Sequence, residues 1–450
     1  MTRKYAIETF GCQMNVHDSE RLAGLLEQAG YEAAADPGEA DLVVVNTCSV
    51  RGRAEDKLYS RLGELRALGD GRESRPTIAV TGCVAQQEGA RLLVRAPHVG
   101  VVAGTRAKRR LAELVAQAES SGRPQIDTDP RDDISFAPGV VRRGDLVRAS
   151  VTISEGCSDA CTYCVVPHTR GPVRMRPAAE ILAEVSEAVA GGRREILLLG
   201  QIVNHYRAPD RPGCEFADLL ALVNEVPGVE RIRFASPHPR HVSDRLIEAM
   251  RDLAHVCKHL HLPVQSGSTR ILAAMRRRHT REEYLEVVAR VRAALPIVAV
   301  STDMIVGFPG ETDRDFADTL SLTEAAGFSS MFSFKYSKRP NTFAINYLQD
   351  DVPEHVKAER LRELQQVQRG IQLRLHQQLV GTAVPVLIDS LSRRRPSDVS
   401  GRTTGNTVVN AAGDPSWLGR LVNVRILRAG PYSLWGEAEE SGLDRQPAHA

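Results

Sequence analysis

The sequence is poor in aromatic residues, has no excess of one charge and contains no long hydrophobic run. Aromatics make up 5% of the 450 residues, with two tryptophans, so no aromatic-rich binding surface is advertised. Lys and Arg number 58 against 56 Asp and Glu, a formal net charge of +2. That balance neither demands nor excludes nucleic acid; a site for RNA has to be a local patch. No stretch reads as a membrane-spanning helix, and no membrane partner is expected. The start, MTRKYAIETFGC, runs into a strand-like pattern without the apolar stretch of a signal peptide, so the expected location is the cytoplasm. Eight cysteines in a chain this long do not make a disulfide framework. In a reducing compartment, clustered cysteines more often bind metal or do chemistry. Cys214 and Cys257 fit no pattern and read as ordinary free or buried thiols.

What is present is an alternation of strand and helix patterns, the mark of an α/β layer fold. KYAIETF, DLVVVNTC, TIAVTGC and HVGVVAG read as strands of an open parallel sheet, with amphipathic helices between them. Cys12, Cys48 and Cys83 each lie just past the end of one of these strands. In such a sheet the carboxyl ends share one edge, where ligands bind, so three cysteines distant in sequence can converge there. The alternative is three unrelated buried thiols. Residues 119–142 are polar and read as a linker. From about 143 the alternation resumes with six strand candidates, which suits a partial (β/α)6 barrel; a second doubly wound sheet is the other possibility. A long charged helix over 353–381 precedes short strands with turn signals, read as a small all-β module. The expected boundaries are 3–118, 119–142, 143–375 and 376–440, with 441–450 a disordered tail.

CSDACTYC, residues 157–164, holds Cys157, Cys161 and Cys164 in eight residues. Structural zinc prefers four ligands in a closed tetrahedron. No second C-x2-C follows, although His168 stands four residues beyond Cys164 and could close a site. Three thiolates suit a 4Fe–4S cluster better, leaving one iron open to a small ligand that accepts an electron.

C-x3-C-x2-C with Tyr163 before the last cysteine resembles the signature of radical S-adenosylmethionine (SAM) enzymes. FGCQMNVHDSE, VVNTCSVRGRAEDK, TGCVAQQ, CTYCVVPHTRG, LLGQIVNHY, HLPVQSGS, TDMIVGFPGET and GRTTGN extend the resemblance over nearly the whole chain. They are similar to radical SAM methylthiotransferases, and the GCQMN and NTCSVR forms to the MiaB type. The resemblance implies a cluster on Cys157, Cys161 and Cys164 that cleaves SAM. It implies a second 4Fe–4S cluster on Cys12, Cys48 and Cys83 in the first domain, and a last module of the TRAM type that binds RNA. The implied reaction adds a methylthio group to carbon 2 of N(6)-isopentenyladenosine beside the anticodon of tRNA. Two sister activities, on threonylcarbamoyladenosine in tRNA and on a ribosomal-protein aspartate, are the alternatives; outside enzymes the alternative is an iron–sulfur carrier or RNA-binding scaffold.

The same resemblance places the SAM amino group near Gly200 and Gln201. Gln265, Ser266 and Asp303 stand at later strand ends, where each also has an ordinary reading as a turn or supporting residue. GFPGE (307–311) lacks the lysine of a phosphate loop and reads as a turn that brings backbone close to a ligand. Arg170, Arg174 and Arg176 read as surface or as phosphate contacts, and Arg393, Arg394 and Arg395 as a basic loop for RNA. Expected partners are the tRNA anticodon loop and a reducing, flavodoxin-like electron donor; a monomer is expected. Ser158, His168 and Ile202 depart from the usual family residues, as do SKRPNTFA and RRRHT. None of these removes a cluster ligand.

Overall fold

Runs of β-branched residues, each followed by an amphipathic helix, build the first two domains, and short antiparallel strands build the third. The computed structural model describes residues 2–49, 52–68, 75–130, 140–392, 395 and 397–439. The first sheet contains β1 (Arg3–Phe10), β2 (Tyr31–Ala33), β3 (Leu42–Thr47), β4 (Thr77–Gly82), β5 (Val101–Ala103) and β6 (Gln125–Asp127). Their order is β2-β1-β3-β4-β5-β6, and every neighbouring pair is parallel. β3 is buried throughout. Its alternate side chains feed two cores: Val43 and Val45 join Leu58 and Leu62 on one face, and Leu42 and Val44 join Leu22 and Leu26 on the other. Coverage on both faces is what a parallel sheet requires.

β6 falls inside the stretch expected as linker, and the helix Leu111–Ser121 crosses the boundary drawn at 118. Because β6 pairs with β5, the first domain reaches Asp127. Three-residue strands of this kind carry too little pattern to be told from loop by sequence. Residues 131–139 of the expected linker, and the expected tail 441–450, lie outside the described residues.

The second domain has β7 (Arg148–Thr152), β8 (Ser154–Glu155), β9 (Arg174–Met175), β10 (Glu195–Leu199), β11 (Arg231–Phe234), β12 (His259–His261), β13 (Ala299–Val306) and β14 (Ser330–Lys335). β11-β10-β7 and β12-β13-β14 are parallel sheets, joined by a parallel bridge between Ile232 and Val256. The six parallel strands therefore form an open barrel, with one continuous apolar core between its strands and the surrounding helices. β8 and β9 pair antiparallel across the base of the cysteine-bearing loop.

The third domain closes into a barrel in the order β15-β16-β17-β19-β18, from β15 (Ala383–Leu391), β16 (Asp398–Thr403), β17 (Val408–Ala412), β18 (Leu421–Ala429) and β19 (Leu434–Ala438). Val386, Ile388, Val399, Val422, Val424 and Ile426 fill it. The helix Glu354–Gln377 packs on β14 and leads into this barrel, so it runs past the boundary drawn at 375. Among the described residues no helix is long and apolar enough to cross a membrane.

Candidate active site

Cys12, Cys48 and Cys83 follow the carboxyl ends of β1, β3 and β4, which are adjacent in the sheet. Neighbouring strands lie about 4.8 Å apart, so adjacency brings the three thiols together. Cys12 caps the 16-residue helix Gln13–Gln28, and the Cys48 N–H donates to Phe10 O at 2.9 Å. Asn15 and Asn46 lock the first two motifs together: Asn15 Nδ2 donates to Asn46 Oδ1 at 3.1 Å, and Asn46 Nδ2 donates to Asn15 O and Ser19 Oγ at 2.9 Å each. Before Cys83 the chain turns through Gly82 at φ 91°, where a Cβ would stand 2.4 Å from Asn46 Oδ1 and 2.7 Å from Thr47 O. Only glycine fits there. The Cys12 thiol is drawn down to about 5 by its hydrogen bond with Cys48, against the effect of burial and helped by the charge of Arg170.

The second trio rides the loop between β8 and β9. Its ends are pinned by Cys157 N–H to Gly171 O at 3.0 Å, and Cys164 N–H closes a turn on Cys161 O at 3.1 Å. Ser158, a departure from the family residue, accepts from Val173 N–H at 3.2 Å and so helps close the loop. Thr162 bonds Met275 O through its N–H and Ala274 O through its hydroxyl. Tyr163 packs among Ile271, Met275, Phe308, Tyr336 and Ala344; burial drives its phenol well above the usual range. Burial likewise pushes the Cys164 thiol up to about 12. Arg277, one of three consecutive arginines and indistinguishable from its neighbours in sequence, is 7% exposed and donates to Cys161 Sγ at 3.6 Å and Pro263 O at 3.0 Å.

Gly200 and Gln201 follow β10. A Cβ on Gly200 would stand 2.6 Å from Ser154 Oγ. Gln201 Nε2 donates to Met14 Sδ at 2.6 Å, and Met14 packs with Leu197, Leu199 and Cys12, so the first cysteine loop rests on the barrel mouth. Gln265 is buried at φ 80°, and its N–H and C=O bond Asp303 and Ile305 of β13. A non-glycine residue held there costs about 1–3 kcal/mol and persists only where the surroundings enforce it. Ser266 is fully buried and accepts from Ser268 N–H at 3.2 Å. Asp303 is partly exposed and faces His261 Nε2 at 3.4 Å. The exposed Phe332 is its register partner on β14, with Phe334 two residues on.

Two sequence expectations need correction. Arg170 and Arg176 are neither surface nor phosphate contacts: they are 4% and 2% exposed and bind Asp18 and Glu184 at the domain boundary. GFPGE does bring backbone close to a neighbour, but a Cβ on Gly307 would meet the Lys357 side chain, and buried Glu311 accepts from Gly307 N–H and Arg360. The turn therefore seats the long helix. His168 is exposed, and among the described residues no three His, Cys, Asp or Glu side chains are placed for a single metal ion. Of the basic loop, Arg393 and Arg394 lie outside the described residues; Arg395 is exposed.

All six site cysteines are free thiols. Among the described residues, Thr47 Oγ1, Ser49 Oγ, Thr81 Oγ1 and Arg170 Nη1 around the first trio are buried without a partner, and around the second the same holds for Ser154 Oγ, Gln201 Oε1 and Arg277 Nε. Buried donors without acceptors are costly. A cluster with bridging sulfides supplies acceptors to the donors, and the ammonium of SAM supplies a donor to Gln201 Oε1. The soft thiol sets and their polar surroundings thus fit iron–sulfur clusters and SAM.

Three segments of the chain match known family models. Residues 4–104 match the pattern described as "Uncharacterized protein family UPF0004", residues 151–323 the radical SAM superfamily, and residues 377–438 the TRAM domain. The tRNA-2-methylthio-N(6)-dimethylallyladenosine synthase of Geobacter metallireducens is 47% identical, covering 96% of this chain and 97% of its own. That of Alkalilimnicola ehrlichii is 44% identical over the whole of both chains. Among solved structures, the radical SAM methyltransferase TsrM of Kitasatospora setae shares the fold, with a TM-score of 0.55 at 14% identity over 86% of this chain and 81% of that one. The chain belongs to the radical SAM methylthiotransferases, in the MiaB-type family of tRNA-2-methylthio-N(6)-dimethylallyladenosine synthases.

Proposed function

We propose that the chain adds a methylthio group to carbon 2 of N(6)-isopentenyladenosine beside the anticodon of tRNA. The observation that carries this reading is that the segments bearing the two cysteine trios adjoin at one domain boundary. The helix Val166–Arg170 starts two residues after Cys164 and packs against the helix that starts with Cys83. The hydrogen at carbon 2 of an adenine is not acidic and the carbon bears no leaving group, so acid–base catalysis alone has no purchase on it. When bound, a cluster with an open iron and SAM supplies the one-electron chemistry that can remove such a hydrogen.

In this reading Cys157, Cys161 and Cys164 hold the cluster that meets SAM, and Cys12, Cys48 and Cys83 hold the cluster that presents sulfur. Arg277 fixes Cys161. Gln201 Oε1 accepts from the SAM ammonium, which requires its side-chain amide to keep the orientation set by Met14. Gly200 lets the end of β10 pack close against Ser154 beside the pocket. Gln265, Ser266 and Asp303 shape the far side of the pocket, and Tyr163 backs the cysteine loop with apolar packing. Phe332 and Phe334 offer flat apolar surface to the base and its prenyl group. An anticodon loop is single-stranded, which lowers the cost of swinging the base out of its stack. The third domain and Arg395 contact the tRNA backbone, a flavodoxin-like protein supplies electrons, and the protein works as a monomer in the cytoplasm.

Mass spectrometry of nucleosides from the tRNA of a strain lacking the gene tests the reading. Isopentenyladenosine without the methylthio group, restored by the gene, is the expected result. Loss of methylthiolated threonylcarbamoyladenosine instead, or no change, would refute it.

A further inference from the structure

Arg170 is a cation contributed by one domain to the other. It ends the helix Val166–Arg170 of the barrel domain, yet its Nη2 donates to Asp18 Oδ2 of the first domain at 2.8 Å, with both side chains 4% exposed. Asp18 also accepts from Lys108 Nζ, so its charge is already met without Arg170. Nη1 of Arg170 is buried and has no partner among the described residues.

Two placements fix where that free amino group can turn. Asp18 lies on the helix that Cys12 caps, and the helix bearing Arg170 packs against Cys83–Glu88. The guanidinium is therefore held between the elements that carry two cysteines of the first trio. The backbone beneath is pinned as well: Thr105 Oγ1 donates to Thr169 O at 2.6 Å and Arg106 Nη2 to Arg170 O at 3.3 Å. A guanidinium with one edge fixed by a carboxylate presents its other N–H groups in a set direction. Sulfurs of a buried, negatively charged cluster are the acceptors it would meet, and hydrogen bonds to such sulfurs raise the reduction potential.

We propose that Arg170 is a positioning residue that donates Nη1 to a sulfur of the cluster held by Cys12, Cys48 and Cys83, stabilising negative charge there. The inference rests on the assignment of that trio made above. It makes the cysteine loop of the barrel domain, through its following helix, part of the surroundings of the other cluster.

The test uses the full chain with Cys157, Cys161 and Cys164 replaced by Ala, reconstituted anaerobically so that one cluster remains. Iron bound in that background keeps the assignment of the trio; no iron overturns the assignment and this inference together. The midpoint potential of the remaining cluster is then followed by electron paramagnetic resonance. Arg170→Met is expected to move it to a more negative value, Arg170→Lys by less. Lys108→Met, which removes the other cation on Asp18, should leave it near the parent value. An unmoved potential in Arg170→Met, or an equal shift in Lys108→Met, overturns the inference alone. Should Arg170→Met not fold, the parent labelled with 15N-arginine decides: a nitrogen hyperfine coupling to the reduced cluster, lost in Arg170→Lys, is expected. Absence of the coupling in the parent, or its survival in Arg170→Lys, overturns the proposal.

Discussion

Gly82 shows how much of the first cysteine set depends on a single atom. At φ 91°, with Asn46 Oδ1 and Thr47 O within 2.7 Å of where a Cβ would lie, Gly82→Ala has to displace the Asn15–Asn46 lock or tilt the start of the Cys83 helix. We expect the variant to lose stability by more than about 1 kcal/mol and to bind less iron after reconstitution, measured by urea unfolding and iron assay. Wild-type stability and iron content would contradict the account of this turn. The positions of the cysteines after strands were legible because a continuous apolar run and a following cysteine sit side by side in the chain. Arg170 and Arg277 were not. Each partners a group 100 or more residues away, Asp18 and Cys161, and an arginine reads the same in sequence whether it faces solvent or a buried thiol.

At the scale of elements, helix ends and strand ends meet across the domain boundary through buried charges. His17 on the first helix, fully buried, bonds Thr152 Oγ1 of β7 at 2.8 Å and Glu184 at 3.2 Å; Arg143 and Arg176 also hold Glu184. Burial pushes the Glu184 carboxyl up, but the His17 hydrogen bond and these charges outweigh it and hold it well below the usual carboxylate range. Asp18 is depressed in the same way by Lys108 and Arg170 against burial. Both groups bind protons more readily when unfolded. Their contribution is complete above the ordinary carboxylate values, and it is lost as pH falls through them toward the lower folded values, from about pH 5 downward. Glu184→Gln leaves the buried Arg143 side chain without its carboxylate and Arg176 with Glu180 only, and should cost about 3–5 kcal/mol at pH 7. It should also flatten the acid loss, both read from urea unfolding at pH 7 and pH 4. A cost under about 1 kcal/mol, or an unaltered pH slope, would contradict this. The six barrel strands were readable from pattern alone, whereas the boundary that joins them to the first sheet was not, because its polar residues satisfy one another only once both domains are in place.

At the scale of the whole molecule, the three domains are stacked through specific contacts. The GRTTGN motif at the end of β16 docks on the barrel: Arg233 donates to Thr403 O and Thr404 O, Arg231 donates to Arg402 O and Pro385 O, and Lys258 N–H donates to Thr404 Oγ1. Arg231 opens β11, and the Arg233 side chain reaches back to Glu195 at the start of β10, so the small barrel meets the amino-terminal end of the large one while the first cysteine loop rests on its mouth. Part of the GRTTGN motif is thus used inside the molecule, and Arg402 is half-buried against Asp389. What remains central is the division of labour between the two trios. The most direct measurement compares SAM cleavage and methylthiolated product in Cys48→Ala and Cys161→Ala after anaerobic reconstitution. The account predicts that Cys48→Ala still cleaves SAM but yields no methylthio product, and that Cys161→Ala does neither. Methylthiolated tRNA from Cys48→Ala, or reductive SAM cleavage by Cys161→Ala, would contradict it.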